Sequence, residues 1–281
     1  MRPHRPPLQN LLLTAPTGRT TNTMTIQRRN YGRGHAYYDT DNGQKIPGVT
    51  TILGDGLPKP ALVGWAANTT AEYAVDHWDE LTDLKPSERL KTLQKARYAD
   101  RDAAANRGTA VHLLAEKLVA GHKVDVPDEL AGHVDSYVRF LDDFDVQPII
   151  TEGVILNRSH RYAGTLDLIC DIPTFKAGPL ICDVKTSRSG VWPDNALQIA
   201  AYRYADVYLD ADGTEKPLPE VAGAAVIHVR ADGYDLVPIQ AGPTEFRYFL
   251  YVMQLWRWAN EHSKTVVGEP HLPPHLREDT A

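Results

Sequence analysis

Cysteine is scarce in this sequence: 281 residues carry two, Cys170 and Cys182. Both sit in apolar, strand-like runs, which predicts reduced core residues in place of a disulfide or a metal pair. Long hydrophobic runs are lacking as well. No stretch nears the roughly 18 consecutive apolar residues of a membrane span, so a soluble chain is expected. There is no Gly-x-x-x-x-Gly-Lys-Ser/Thr loop, which excludes a fused P-loop ATPase motor. An excess of positive charge is missing too, because 30 Lys and Arg face 36 Asp and Glu for a net charge of −6. Contact with a polyanion would therefore need a local basic patch, and bound cations would offset clustered carboxylates. The first 23 residues contain no acid, and their only apolar run, Leu11 to Leu13, is too short for a signal peptide. Residues 1–23 are expected to be a disordered extension or an over-extended start, with Met24 as the alternative initiator.

What is present suits a globular domain: 42% of residues are apolar and 23% charged. From Ile26 to Leu53 the aromatic, turn-rich pattern around Asp41-Asn42-Gly43 reads as a hairpin. Pro60 to Trp78 and Ser87 to Ala105 read as helices, the second capped by Ser87, and Gly108 opens a further helix carrying His112 and Glu116. Arg97 and Arg101, four apart, share a helix face, with Arg107 just beyond. Asp128 to Asp145 is amphipathic, with Leu130, Val134, Tyr137, Val138 and Leu141 on its inner side. Strands are expected at Thr151–Asn157, Tyr162–Ile172 and Leu180–Lys185, then a helix from near Pro193 on which Gln198 and Tyr202 share a face. Strands Gly223–Arg230 and Tyr234–Gln240 and a helix Thr244–His262 follow. This divides the chain into 1–23, a hairpin and helical region at 24–105, a core at 106–263 and a disordered tail at 264–281.

The chemistry lies in acids placed where a packed sheet should be apolar. Asp167 falls between Leu166 and Leu168, and Asp183 follows Leu180, Ile181 and Cys182. An unpaired buried carboxylate costs several kcal/mol, so each needs a partner, and a hard divalent cation with oxygen ligands is a natural one. Asp183 and Lys185 are two apart on one strand and project to one face, while Val184 points into the core. A carboxylate beside an ammonium suits metal-assisted hydrolysis. Glu152, ahead of Val154-Ile-Leu156, reads either as a site acid or as an exposed acid at a strand start. Gly164 permits a close approach by substrate or marks a bulge.

Taken together, Gly108-Thr-Ala-Val-His112, Glu152, Gly164-Thr-Leu-Asp167, Asp183-Val-Lys185 and Gln198-Ile-Ala-Ala-Tyr202 resemble the PD-(D/E)XK nuclease superfamily and its RecB-type exonuclease branch. The resemblance spans residues 107–204, with Leu166 in place of the named proline and Asp183 as the second acid. It implies an α/β fold, a restriction-endonuclease-like αβββαβ core with a helical amino-terminal wall, and a metal-dependent deoxyribonuclease. It further implies Mg2+ or Mn2+ held by His112, Asp167, Asp183 and the Val184 carbonyl. Lys185 would activate water, Glu152 would position the metal or its water, and Gln198 and Tyr202 would contact the DNA strand. Some members of the branch carry an iron–sulfur cluster on four cysteines, and two cannot supply that set. DNA phosphates are expected at Arg158, His160 and Arg161 in the first hairpin turn and at Arg188 after the catalytic strand. The stand-alone members of the branch that this chain resembles are phage or mobile-element recombination exonucleases. They imply a cytoplasmic setting, a strand-annealing partner and an open question of self-association. The other readings are an endonuclease of the same superfamily and a catalytically inactive DNA-binding module.

Overall fold

The computed structural model describes residues 25–31, 34–119, 124–187, 189–271 and 273. The expected extension at 1–23, Arg188, the end of the expected tail and the side chains of Arg101, Arg107, His112 and Glu116 lie outside the described residues. The expected hairpin is a small antiparallel sheet of β1 (Ile26–Tyr31), β2 (Gly34–Asp39) and β3 (Lys45–Ile46). Its second turn is set by Asp39, whose carboxylate accepts from the Asp41 amide at 3.0 Å and from Asn42 Nδ2 at 2.9 Å. The hairpin reading fails at its end. Val49–Gly56 is a helix, α1, that buries Val49, Ile52 and Leu53 and packs on the last long helix. The β-branched run there favours a strand by local propensity, and packing of an i, i+3, i+4 face overrides it.

Next come α2 (Pro60–Asp76), α3 (Trp78–Thr82), α4 (Pro86–Val119) and α5 (Asp128–Asp143). The helices expected at 87–105 and from Gly108 are one helix of 34 residues. An internal glycine costs only about 1 kcal/mol relative to alanine, too little to break a helix of that length. Its first residue is Pro86, not a capping Ser87, consistent with proline's preference for the first turn.

The main sheet contains β4 (Gln147–Asn157), β5 (Tyr162–Asp171), β6 (Leu180–Lys185), β7 (Val207–Leu209), β8 (Glu215–Pro217), β9 (Gly223–Arg230) and β10 (Gly233–Pro238). Seven strands run in the order β10-β9-β6-β5-β4-β7-β8, and only β6 and β9 pair in parallel. A parallel pair needs a crossover, and this one carries α6 (Asp194–Arg203) and the short β7–β8 pair. That pair, three residues in each strand, is too short to give an alternation signal. The chain is thus a mixed α/β protein, closed by α7 (Pro243–Asn260) and a 3-10 turn at His262–Thr265.

Helices cover both faces of the central strands. Ile155, Leu166, Ile169, Ile181 and Val226 pack with Ile199 and Tyr202 of α6 and with Phe249 and Met253 of α7. On the other face Leu168, Cys170, Cys182, Val184 and Ile227 meet Tyr137 and Phe140 of α5. Both cysteines are free and buried, as the sequence predicts. The hydrogen bond that its S–H donates to the neighbouring Cys170 sulfur, together with burial, pushes the Cys182 thiol well above its ordinary range. Among the described residues no helix is long and apolar enough to cross a membrane.

Candidate functional site

Strict alternation breaks down along β5 at Asp167. Leu166 belongs to the cluster under α6 and α7, yet Leu168, two residues on, belongs to the cluster under α5. Successive same-face residues of a regular strand would share a cluster. The fault is matched on β4, where the register pairs Thr151 with Leu168 and Gly153 with Leu166, so Glu152 stands across from Asp167. Glu152 has φ 49°, in the left-handed region. For a non-glycine residue that conformation costs on the order of 1–3 kcal/mol, and such strain gathers at functional sites. Glu152→Gly is therefore expected to stabilise the fold by about 1 kcal/mol while lowering activity. Thermal denaturation and a cleavage assay on the same preparation check this, and loss of both would make Glu152 a structural residue.

β6 approaches the same place from the other side. Its ladder with β5 runs from Cys170–Leu180 to Leu168–Cys182, which leaves Asp167 and Asp183 as neighbours on adjacent strands. The Val184 amide donates to Asp167 Oδ2 at 2.7 Å, so a carboxylate takes a strand donor where the ladder stops. The N–H and C=O of one strand residue point to the same edge, so the Val184 carbonyl is also turned toward β5. Asp183 is 1% exposed, and its carboxylate forms an ion pair with Lys185. Burial alone would lower the Lys185 pKa, but the Asp183 and Asp167 carboxylates outweigh it and hold the ammonium above its usual value.

The α6 residues are tied into this group. Gln198 Nε2 donates to Asp183 Oδ1 at 2.7 Å and to Tyr202 Oη at 3.1 Å, using both of its N–H groups. Tyr202 is buried beneath the site, where it packs as a core aromatic. Its ring lies against Gly164, where a Cβ would come within 2.6 Å of Tyr202 Cε1. Gly164 therefore makes room for this ring, in place of the substrate approach or bulge the sequence suggests.

The basic cluster expected in the β4–β5 turn is largely engaged elsewhere. Arg158 is half-buried in an ion pair with Glu215 of β8. His160 packs its ring edge on Phe246, and burial lowers its pKa despite the nearby Asp206. Arg161 keeps more exposure and sits 3.6 Å from Asp39 Oδ2. In this turn Arg158 thus has a counterion and His160 an aromatic contact.

His228, which sequence reasoning does not single out, lies beside Lys185 in the β6–β9 register. Arg230 Nη1 approaches its Nδ1 at 3.0 Å and the Ser187 carbonyl lies 2.8 Å from its Nε2. A guanidinium only donates and a carbonyl only accepts, so these contacts fit a neutral imidazole protonated at Nε2. His228 thus ties down the loop that follows Lys185. In sequence it is one histidine in an apolar strand, and only the parallel pairing reveals its neighbour.

Among the described residues no three His, Cys, Asp or Glu side chains gather as a metal-holding group. What the strands do bring together is an oxygen set, two carboxylates and a carbonyl edge, of the kind that suits a hard cation. The helix bearing His112 reaches the same end of β6, since a Cβ on Gly108 would stand 3.4 Å from Thr186 Oγ1.

The sequence matches no family model, and no curated protein is similar to it. A solved structure described as "Crystal structure of SSO0001" is similar over 67% of this chain and 68% of its own, at 14% identity with a TM-score of 0.28. At that score the likeness is too slight to define the fold.

Proposed function

We propose that this chain is a metal-dependent deoxyribonuclease of the PD-(D/E)XK type, acting as a DNA exonuclease. The observation that carries the reading is the convergence of Asp167, Asp183 and Lys185 at the point where β5 and β6 part, with Gln198 bonded to Asp183. The succession α5, β4, β5, β6, α6 and β9 supports it, because it follows the αβββαβ order that the sequence motifs imply. A recombination setting with a strand-annealing partner belongs to the same proposal and rests on the motifs alone.

A bound Mg2+ or Mn2+ would supply Lewis-acid polarisation of a phosphoryl oxygen and a water of lowered pKa. Asp167 and Asp183 would hold the ion, with the Val184 carbonyl as a third oxygen, and the sequence motif adds His112. Gln198 fixes the rotamer of Asp183. Lys185, held protonated by the two carboxylates, orients the attacking water by donating to it and favours charge building on the phosphate. Lys185 is the exposed member of the pair, 27% against 1% for Asp183, and substrate would enter from its side.

The test is digestion of linear duplex, linear single-stranded and closed circular DNA, labelled at one end where an end exists, with Mg2+, with Mn2+ and with chelator. Metal-dependent loss of the linear forms alone is the expected result. Cutting of the circles would make the protein an endonuclease, and no cutting with either metal would sink the catalytic reading.

A further inference from the structure

Arg28 is a half-buried arginine for which, among the described residues, there is no ion pair, and its Nε is buried without a hydrogen-bond partner. Its direction follows from the β1–β2 register, which sets it opposite Tyr37. Directly opposed residues share a face, and the Tyr37 face is the one turned to the main sheet: Tyr37 Oη lies 2.8 Å from Thr165 Oγ1. Thr165 is two residues ahead of Asp167. Burial raises the Tyr37 pKa, the Thr165 bond and the Arg28 charge pull it down, and the Glu152 carboxylate raises it further, so Arg28 and Glu152 both act on this hydroxyl. His35, on the same face, has its Nε2 3.0 Å from Tyr37 Oη.

The small sheet also runs in step with β5. Asp39 lies near Arg161 and Tyr37 is bonded to Thr165, so moving back along β2 moves forward along β5. The next residue on that face of β2, the exposed His35, and the Tyr37 partner, Arg28, are thereby carried toward Asp167 and Glu152. Arg29 is the contrasting neighbour. It is exposed, bonded to Gln27 and stacked over the Tyr38 ring at 4.6 Å, on the outer face of the same strand.

From this placement we infer that Arg28, with His35 and the Tyr37 hydroxyl beside it, is a phosphate-binding subsite. Its ligand is a phosphodiester group of the nucleic-acid strand lying across Asp167 and Asp183, next to the one hydrolysed. The inference rests on the nuclease reading. A guanidinium offers a planar fork that matches phosphate, and a cation set at the rim of a carboxylate site draws a polyanion over acids that would otherwise repel it. The hairpin would thus supply the local positive contact that the net charge of the chain does not.

The experiment measures binding of fluorescently labelled oligonucleotide in chelator, across a salt series, for wild type, Arg28→Gln, Arg28→Lys and Arg29→Gln. Arg28→Gln is expected to bind about tenfold more weakly, with a salt slope shallower by about one unit. Arg28→Lys should recover part of the loss and Arg29→Gln should bind as wild type. Hydrolysis of bis(4-nitrophenyl) phosphate, which has no neighbouring phosphate, should fall less in Arg28→Gln than oligonucleotide binding does. Wild-type binding by Arg28→Gln, an equal loss in Arg29→Gln, or an equal or larger loss on the small diester would overturn the subsite. If wild type itself neither binds nor cleaves DNA, the nuclease reading falls, and that result is distinct from any of these.

Discussion

Asp183→Asn is expected to reduce metal-dependent cleavage by about a thousandfold or more, the scale seen when a charge-stabilising group is removed from a reacting centre. The same change should cost about 1–3 kcal/mol of stability. Asparagine can still accept from Gln198 through its oxygen, but its amide presents donors where the Lys185 ammonium needs an acceptor. That leaves Asp167 as the carboxylate opposing burial, so the Lys185 pKa should fall. The cost stays below that of a fully buried orphan charge, which runs to about 3–5 kcal/mol, because Lys185 is 27% exposed and can turn to solvent. Chemical denaturation and single-turnover cleavage on one preparation separate the two effects. A variant that cleaves at the wild-type rate would remove Asp183 from the chemistry.

Gly164→Ala should be damaging although it adds only a methyl group. The new Cβ would lie 2.6 Å from Tyr202 Cε1, 3.2 Å from Tyr202 Cδ1 and 3.4 Å from Ile155 Cδ1. Tyr202 is a rigid ring within a packed cluster and has no free end to swing away. Overpacking of this kind costs about 1–3 kcal/mol, and the relaxation open to the ring moves its hydroxyl, and with it Gln198 and Asp183. Melting temperature and cleavage rate should therefore fall together. Tyr202→Leu in the Gly164→Ala background should restore part of the stability by clearing space, without restoring activity. A Gly164→Ala protein as stable and active as wild type would contradict this packing account.

The sequence makes the strands of the site legible because their signals are local. The apolar run Leu180-Ile-Cys182 ends in Asp183, and β6 occupies Leu180–Lys185 as read. The same holds for β5, which ends one residue short of the expected Ile172. The phase fault at Asp167 and Glu152 is not legible, because it depends on two strands slipping together. A glutamate with positive φ leaves no mark in composition. The hairpin-turn arginines mislead for the opposite reason. Arg158 stands in a basic cluster in sequence, but β8, too short to be foreseen, brings Glu215 to it. Arg28 is hidden in an ordinary strand beside Arg29, and only the β1–β2 register and the Tyr37–Thr165 bond tell the two apart.

The central claim is that the paired carboxylates at the β5–β6 fork form a divalent-cation site. Calorimetric titration of Mn2+ into wild type, an Asp167→Asn and Asp183→Asn double variant, and Asp171→Asn, at the exposed end of β5, tests it most directly. Saturable binding is expected in wild type and in Asp171→Asn, with loss in the double variant. Equal Mn2+ binding by the double variant, or none by wild type, would contradict the account.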